Sequence, residues 1–221
     1  MTRLVVFDFD GVVADSEVIA NAVLAEFVTE MGAPTTVEDS LRDYTGRRLA
    51  DVLAEVEGRL GRPLVPDAVA EFQRRTLARL RCELRAVAGV RGYLDALGGA
   101  DRCIASASSP DRLAACLDVL GLANAFGKHV YSATMVPRGK PHPDLFWHAA
   151  AQFGVDPRDA IVIEDSANGV RAGVAAGMLT IGFLGGSHIR EGDEKKLRAA
   201  GAHHIARDYA DVAAITRLQT R

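Results

Sequence analysis

Lysine is scarce in this sequence: Lys128, Lys140, Lys195 and Lys196 are the only four among 26 basic residues. Set against 29 acidic residues, that leaves a net charge of −3. No basic surface for nucleic acid or an anionic membrane is expected. Cysteine is rarer still. Cys82, Cys103 and Cys116 cannot all pair within one chain and show no CxxC spacing. They read as small buried hydrophobes in a reducing, cytoplasmic setting. Long apolar runs are missing too: the most membrane-like window, 172–186, is about 15 residues against the ~20 of a spanning helix, and glycines break it. The start runs straight into Leu4–Phe7 without the regions of a signal peptide. Neither a GxGxxG nor a P-loop pattern occurs, so Gly185-Gly186-Ser187 reads as a loop, and no GxSxG elbow points to a serine hydrolase.

What remains is an ordinary globular composition, 48% hydrophobic and 25% charged over 221 residues. Leu4-Val5-Val6-Phe7 is a short apolar run of the kind found in strands buried on both faces. Similar runs are Cys103–Ala105, His129–Tyr131, Ile161–Ile163, Leu179–Ile181 and His204-Ile205. Between them the spacing predicts helices over Asp111–Leu120, Asp144–Phe153, Asn168–Ala176 and Tyr209–Leu218. This alternation implies an α/β fold, a Rossmann-like parallel sheet with covering helices. Residues 16–85 break the pattern with four predicted helices, from Ser16 to Met31, Val37–Tyr44, Arg48–Leu60 and Asp67–Leu84. The chain is therefore expected to divide into a core of residues 1–15 and 86–221 and an inserted all-helical cap of residues 16–85. Gly169, Gly173 and Gly177 recur every four residues, which predicts a helix packed closely on the sheet.

Ligands of open parallel sheets bind beyond the carboxyl ends of the strands. Three predicted strand ends carry polar chemistry: Asp8-Phe9-Asp10-Gly11, Ser106-Ala107-Ser108-Ser109 and Glu164-Asp165-Ser166. Period-2 alternation points Asp8 and Asp10 the same way. Lys140 stands in Gly139-Lys140-Pro141 before a helix. Carboxylates gathered at one edge repel unless a cation sits among them, and oxygen donors suit Mg²⁺. A carboxylate beside a metal can attack phosphorus and form an aspartyl-phosphate. Lys140 and the Ser106 hydroxyl would hold the transferring oxygens, and a second acid two residues from the nucleophile could exchange protons with the leaving alcohol and the attacking water. Asp165 or Ser166 would equally serve as a helix N-cap.

Four segments, in order, resemble the motifs of the haloacid dehalogenase superfamily: Asp8-Phe9-Asp10-Gly11-Val12, Ser106-Ala107-Ser108, Gly139-Lys140-Pro141-His142-Pro143-Asp144 and Ile163-Glu164-Asp165-Ser166. The helical insertion is similar to the cap of subfamily I. Asp10–Glu17 and Glu164–Val170 resemble the β-phosphoglucomutase-like phosphatase branch. The resemblance implies Asp8 as nucleophile and Asp10 as general acid/base, with Asp10 also lending a backbone carbonyl to Mg²⁺. It implies Ser106 and Lys140 as phosphoryl ligands, and Asp165 with Glu164 as the rest of the metal site. Gly11–Ser16 would flex as the cap closes.

The cap is where the sequence reveals least. Arg47 and Arg48 are candidates for an anionic substrate's far end, and equally fit a surface pair at a helix start. Ser108, Ser109 and Asn21 are candidates for polar substrate contacts. His142 reads as a loop histidine near Lys140. The leading expectation is a Mg²⁺-dependent phosphatase of a small phosphate ester, a sugar or sugar-acid phosphate, monomeric by default. A β-phosphoglucomutase is the alternative, but Ala20 and Asn21 stand where mutases carry a cap histidine, and Ser109-Pro110 replaces their Lys-Asn pair. A phospho-accepting signalling domain would lack both the insertion and the second acid.

Overall fold

In the computed structural model, which describes residues 3–45, 49–64 and 67–219, the chain forms two compact units. One comprises Met1–Asp15 with Arg85–Arg221; the other is Ser16–Leu84. Along the chain come β1 (Leu4–Phe7), α1 (Glu17–Glu30), α2 (Val37–Asp43), α3 (Leu49–Leu60), α4 (Ala68–Glu83) and α5 (Val90–Leu97). Then follow β2 (Asp101–Ser106), α6 (Pro110–Leu120), α7 (Ala123–Phe126), β3 (Val130–Ser132), α8 (Asp144–Phe153) and β4 (Ala160–Glu164). The chain continues through α9 (Ala167–Ala175), β5 (Leu179–Phe183), α10 (Asp193–Ala199), β6 (His204–Ala206) and α11 (Tyr209–Gln219). No described helix is long and apolar enough to cross a membrane.

The larger unit holds one six-stranded sheet in the order β3-β2-β1-β4-β5-β6, and all its pairs are parallel. All four residues of β1 are buried, as an apolar run covered on both faces requires. Leu4, Val6, Cys103, Val162, Leu145 and Phe146 share one core cluster beneath α8 and α9. The chain builds outward from β1 to β3, then returns to β4 on the other side of β1. The order reverses between β1 and β4, and at such a switch point the flanking loops diverge and leave a crevice beyond the strand ends. Asp8 follows β1 and Glu164 ends β4, so both acids flank that crevice.

The smaller unit is all-helical, with its own core of Val23, Phe27, Val28, Val52, Val56 and Phe72. Thr36 starts α2 with a capping box: its side chain accepts from Asp39 N at 3.0 Å, and Asp39 accepts in return from Thr36 N at 3.2 Å.

Three details differ from the sequence expectation. Cys82 is exposed, whereas Cys103 and Cys116 are buried; it lies two residues beyond the buried Leu80, off the inward face of α4. Gly177 lies past the end of α9 with φ +77°, and a β-carbon there would meet nothing within 4 Å, so it serves the turn into β5 and not the packing on the sheet. Gly169 and Gly173 meet the sheet as expected: a β-carbon at Gly169 would collide with the Glu164 carboxyl at the end of β4, and one at Gly173 would press on Thr180 and Val162. Helices α5, α7 and α10 are additional to those that the apolar spacing predicts.

Candidate active site

The site begins with backbone pairing. Asp8 N donates to Ile163 O at 2.9 Å, which carries the β1–β4 ladder one residue past the strand and fixes where the Asp8 carboxyl starts. The Asp8 side chain is only 11% exposed. Lys140 Nζ donates to Asp8 Oδ1 at 2.6 Å and also to Glu164 Oε1. Glu164 is fully buried, and its other oxygen accepts from Ser166 N and Ser166 Oγ at 3.2 and 3.0 Å. Lys140 is thus clamped between two acids, with the Phe146 ring centroid 5.2 Å from its Nζ.

Asp8, Glu164 and Asp165 each bring one carboxylate oxygen into a group whose members all lie within 4.8 Å of one another. Negative charge gathered in so little water is costly. Burial, reinforced by Glu164, pushes the Asp8 carboxyl up to about 7 despite Lys140. Glu164 and Asp165 are raised as well, chiefly by burial, with Asp165 acting on the former and Asp8 on the latter. Burial alone would lower the Lys140 ammonium, but the facing carboxylates Asp8 and Glu164 hold it above its ordinary value. An all-oxygen donor set that resists ionisation in the absence of further positive charge fits a hard divalent cation.

Asp10 lies in the turn that follows. Gly11 N donates to Ala14 O at 2.7 Å, while Val13 N and Ala14 N both donate to Phe9 O. The buried Tyr209 hydroxyl ties this turn down from α11 by donating to Val12 O at 2.8 Å. Gly11 has φ +76°, and a β-carbon there would fall 1.8 Å from Asp165 Oδ2 and 2.7 Å from His188 Cε1. Two independent demands therefore require glycine. We expect Gly11→Ala to lose roughly 2 kcal/mol or more of stability, from the left-handed backbone and the displaced Asp165. Thermal unfolding checks this, and an unchanged midpoint would contradict the packing described.

Ser106 closes β2 with its side chain buried, and its Oγ accepts from Ser108 N at 3.1 Å. Ser108 Oγ donates to Asp10 Oδ2 at 2.6 Å. Ser109 caps α6, accepting from Arg112 N. Asn21 lies in the helical unit, where Ser40 Oγ donates to its Oδ1 at 2.8 Å and its amide donates to Glu17 O. Ser166, not Asp165, caps α9 by accepting from Gly169 N at 3.0 Å. Arg47 and Arg48 lie outside the described residues. The structure thus brings Asp8, Lys140, Glu164 and Asp165 together, and joins Ser108 to Asp10.

Two residues escape the sequence reading. His188, in the loop after β5, is 6% exposed, with Nε2 3.1 Å from Asp165 Oδ2. Its neighbour Gly186 permits this approach, since a β-carbon there would meet the His188 ring and Gly11 O. The signal was available: a Gly-Gly-Ser-His run at the carboxyl end of a strand, where sites form. Arg112, in the first turn of α6, donates from Nη2 to Asp10 Oδ1 at 2.6 Å. Its only hint was its place one turn past the Ser106 segment.

The sequence profile of the haloacid dehalogenase-like hydrolases matches residues 2–177. The chain is 29% identical over 191 residues to a 6-phosphogluconate phosphatase of Escherichia coli, covering 85% of this chain and 86% of that one. A haloacid dehalogenase-like protein of Agrobacterium tumefaciens superposes with a TM-score of 0.91 at 36% identity, over the full length of both chains. A hydrolase of the same family from Deinococcus radiodurans, solved with bound phosphate and sodium, gives 0.81 at 34% identity over 98% of this chain and 96% of that one.

Proposed function

The chain belongs to the haloacid dehalogenase-like hydrolase family, and from that premise we propose that it is a Mg²⁺-dependent phosphatase of small phosphorylated metabolites, sugar or sugar-acid phosphates, working through an aspartyl-phosphate. One observation carries the reading: the buried oxygen cluster of Asp8, Glu164 and Asp165 at the switch point, answered by Lys140. The E. coli relative's action on a sugar-acid phosphate and the phosphate in the D. radiodurans structure support the same class.

In the first half-reaction an Asp8 oxygen bonds to phosphorus as the bond to the leaving oxygen breaks. Asp10 gives that oxygen its proton. In the second, water attacks the phosphorus of the aspartyl-phosphate, Asp10 takes the water's proton, and the Asp8 carboxylate is released with inorganic phosphate. Lys140 restrains Asp8 and, with Ser106, meets the negative oxygens of the group in flight. Glu164 fixes Lys140, because one Glu164 oxygen is committed to the ammonium and the other to Ser166. Asp8 and Asp165 side chains and the Asp10 carbonyl would hold Mg²⁺, which supplies the positive charge that lets carboxylate and phosphate approach. His188 keeps Asp165 in orientation, as partners of metal-binding carboxylates do.

The test is phosphate release across a panel of sugar, polyol and acid phosphates, with and without chelator, and with β-glucose 1-phosphate isomerisation run in parallel. Release from several esters is expected, falling at least roughly 100-fold in chelator and returning with Mg²⁺. Undiminished release in chelator would remove the metal from the account. Isomerisation without net phosphate would replace the hydrolase with a mutase.

A further inference from the structure

Arg112 has no task in the chemistry above, yet it sits on the acid/base residue. Its Nη2 lies 2.6 Å from Asp10 Oδ1, and its side chain is only 24% exposed. Several surface arginines pair with acids close in sequence, such as Arg42 with Asp39 and Asp43, at 63% exposure. Arg112 instead reaches an acid 102 residues away at the end of β1. It is mounted rigidly: α6 begins at Pro110, and Ser109 accepts from the Arg112 amide itself.

This position has a consequence for the leaving group. In the proposed reaction the ester oxygen hydrogen-bonds to Asp10, whichever of its oxygens it meets. If it meets Oδ1, the ester oxygen lies two hydrogen-bond lengths, within about 5–6 Å, from the guanidinium; if it meets Oδ2, the width of the carboxyl adds about 2 Å. A guanidinium is planar and permanently charged, and its fork can bridge two anions at once. Phosphate itself is directed toward Asp8 and Lys140, so the anion within reach of Arg112 belongs to the part of the substrate that leaves. One or two carbons between the ester oxygen and a carboxylate span roughly 3–5 Å, which matches that reach.

We propose that Arg112 is a specificity-determining residue that binds a carboxylate near the ester oxygen, so that the preferred substrates are short-spaced phospho-acids and not neutral polyol phosphates. The inference rests on the phosphatase reading and narrows it. Ser108, which holds the other oxygen of Asp10, leaves Arg112 to face the substrate while the carboxyl stays oriented.

A matched pair of probes isolates the carboxylate: 3-phosphoglycerate and glycerol 3-phosphate differ only by a carboxylate in place of a hydroxymethyl group. The wild-type chain should favour 3-phosphoglycerate in kcat/KM by roughly tenfold or more, the worth of a charge-assisted hydrogen bond. Arg112→Met should lower kcat/KM for the acid roughly 10–100-fold more than for the neutral ester, mostly through KM, since any loss that comes from freeing Asp10 is shared by both probes and cancels in their ratio. Arg112→Lys, which keeps the charge without the fork, should fall between and controls for folding. Equal losses on both probes, or no preference in the wild type, would overturn the inference and make Arg112 a structural partner of Asp10. Those outcomes leave the phosphatase reading standing. Only failure to release phosphate from any ester of the wider panel removes that reading.

Discussion

Asp8→Asn is expected to abolish phosphate release, with kcat falling by at least about four orders of magnitude, as when a covalent nucleophile is lost. The fold should survive. Asp8 is held by a backbone bond to Ile163, which the substitution keeps, and an amide fills the space of the carboxylate. Stability in chelator should even improve slightly. Burial and Glu164 hold the Asp8 carboxyl up at about 7, so ionising it opposes folding. The sign follows from linkage: a carboxyl with a folded value above its ordinary 3.8 adds stability at low pH that is lost as pH rises toward 7. Asparagine removes that loss. Circular dichroism and turnover measured on one preparation separate the two effects, and retained activity would remove Asp8 as the nucleophile.

Lys140→Met should damage both stability and chemistry. The lysine side chain is 7% exposed and is the shared partner of Asp8 and Glu164. Without it two buried acids face each other with no cation from the chain between them, and removing one partner of such a cluster costs about 3–5 kcal/mol. Turnover should fall by roughly 10²–10³-fold or more, the effect of losing one donor to a developing charge. A second substitution separates the causes. Glu164→Gln in the Lys140→Met background removes one of the stranded charges, so it should recover part of the stability and none of the activity. Denaturant titration of the single and double variants checks this. If the double variant is less stable than Lys140→Met alone, the charge argument is wrong.

The sheet was legible because its central strands carry short apolar runs, Leu4–Phe7 in β1 and Ile161–Ile163 in β4, and because Asp8, Ser106 and Glu164 follow such runs where they end. The helices less easily read have physical reasons to hide. The sequence of α10, Asp193–Ala199, offers one buried residue, Leu197, among charges, so no apolar periodicity marks it. With four residues, α7 is too short to show a period. Within the site, the residue types that do the proposed chemistry announced themselves by position. Their supports did not. His188 meets Asp165, and Arg112 meets Asp10, only because the sheet order brings β1, β2, β4 and β5 side by side. Ser109 and Asn21 illustrate the converse. Polar residues near a motif satisfy helix ends and buried partners before they meet any ligand.

The measurement that bears most directly on the account is acid-quenched single turnover with a phosphoryl-labelled ester, using Asp10→Asn to slow release of the intermediate. The account predicts label bound to the protein, stable to acid, cleaved by hydroxylamine as an acyl phosphate is, and mapped to the peptide that contains Asp8. Asp10→Asn that still releases phosphate while no label is ever found on Asp8 would contradict it.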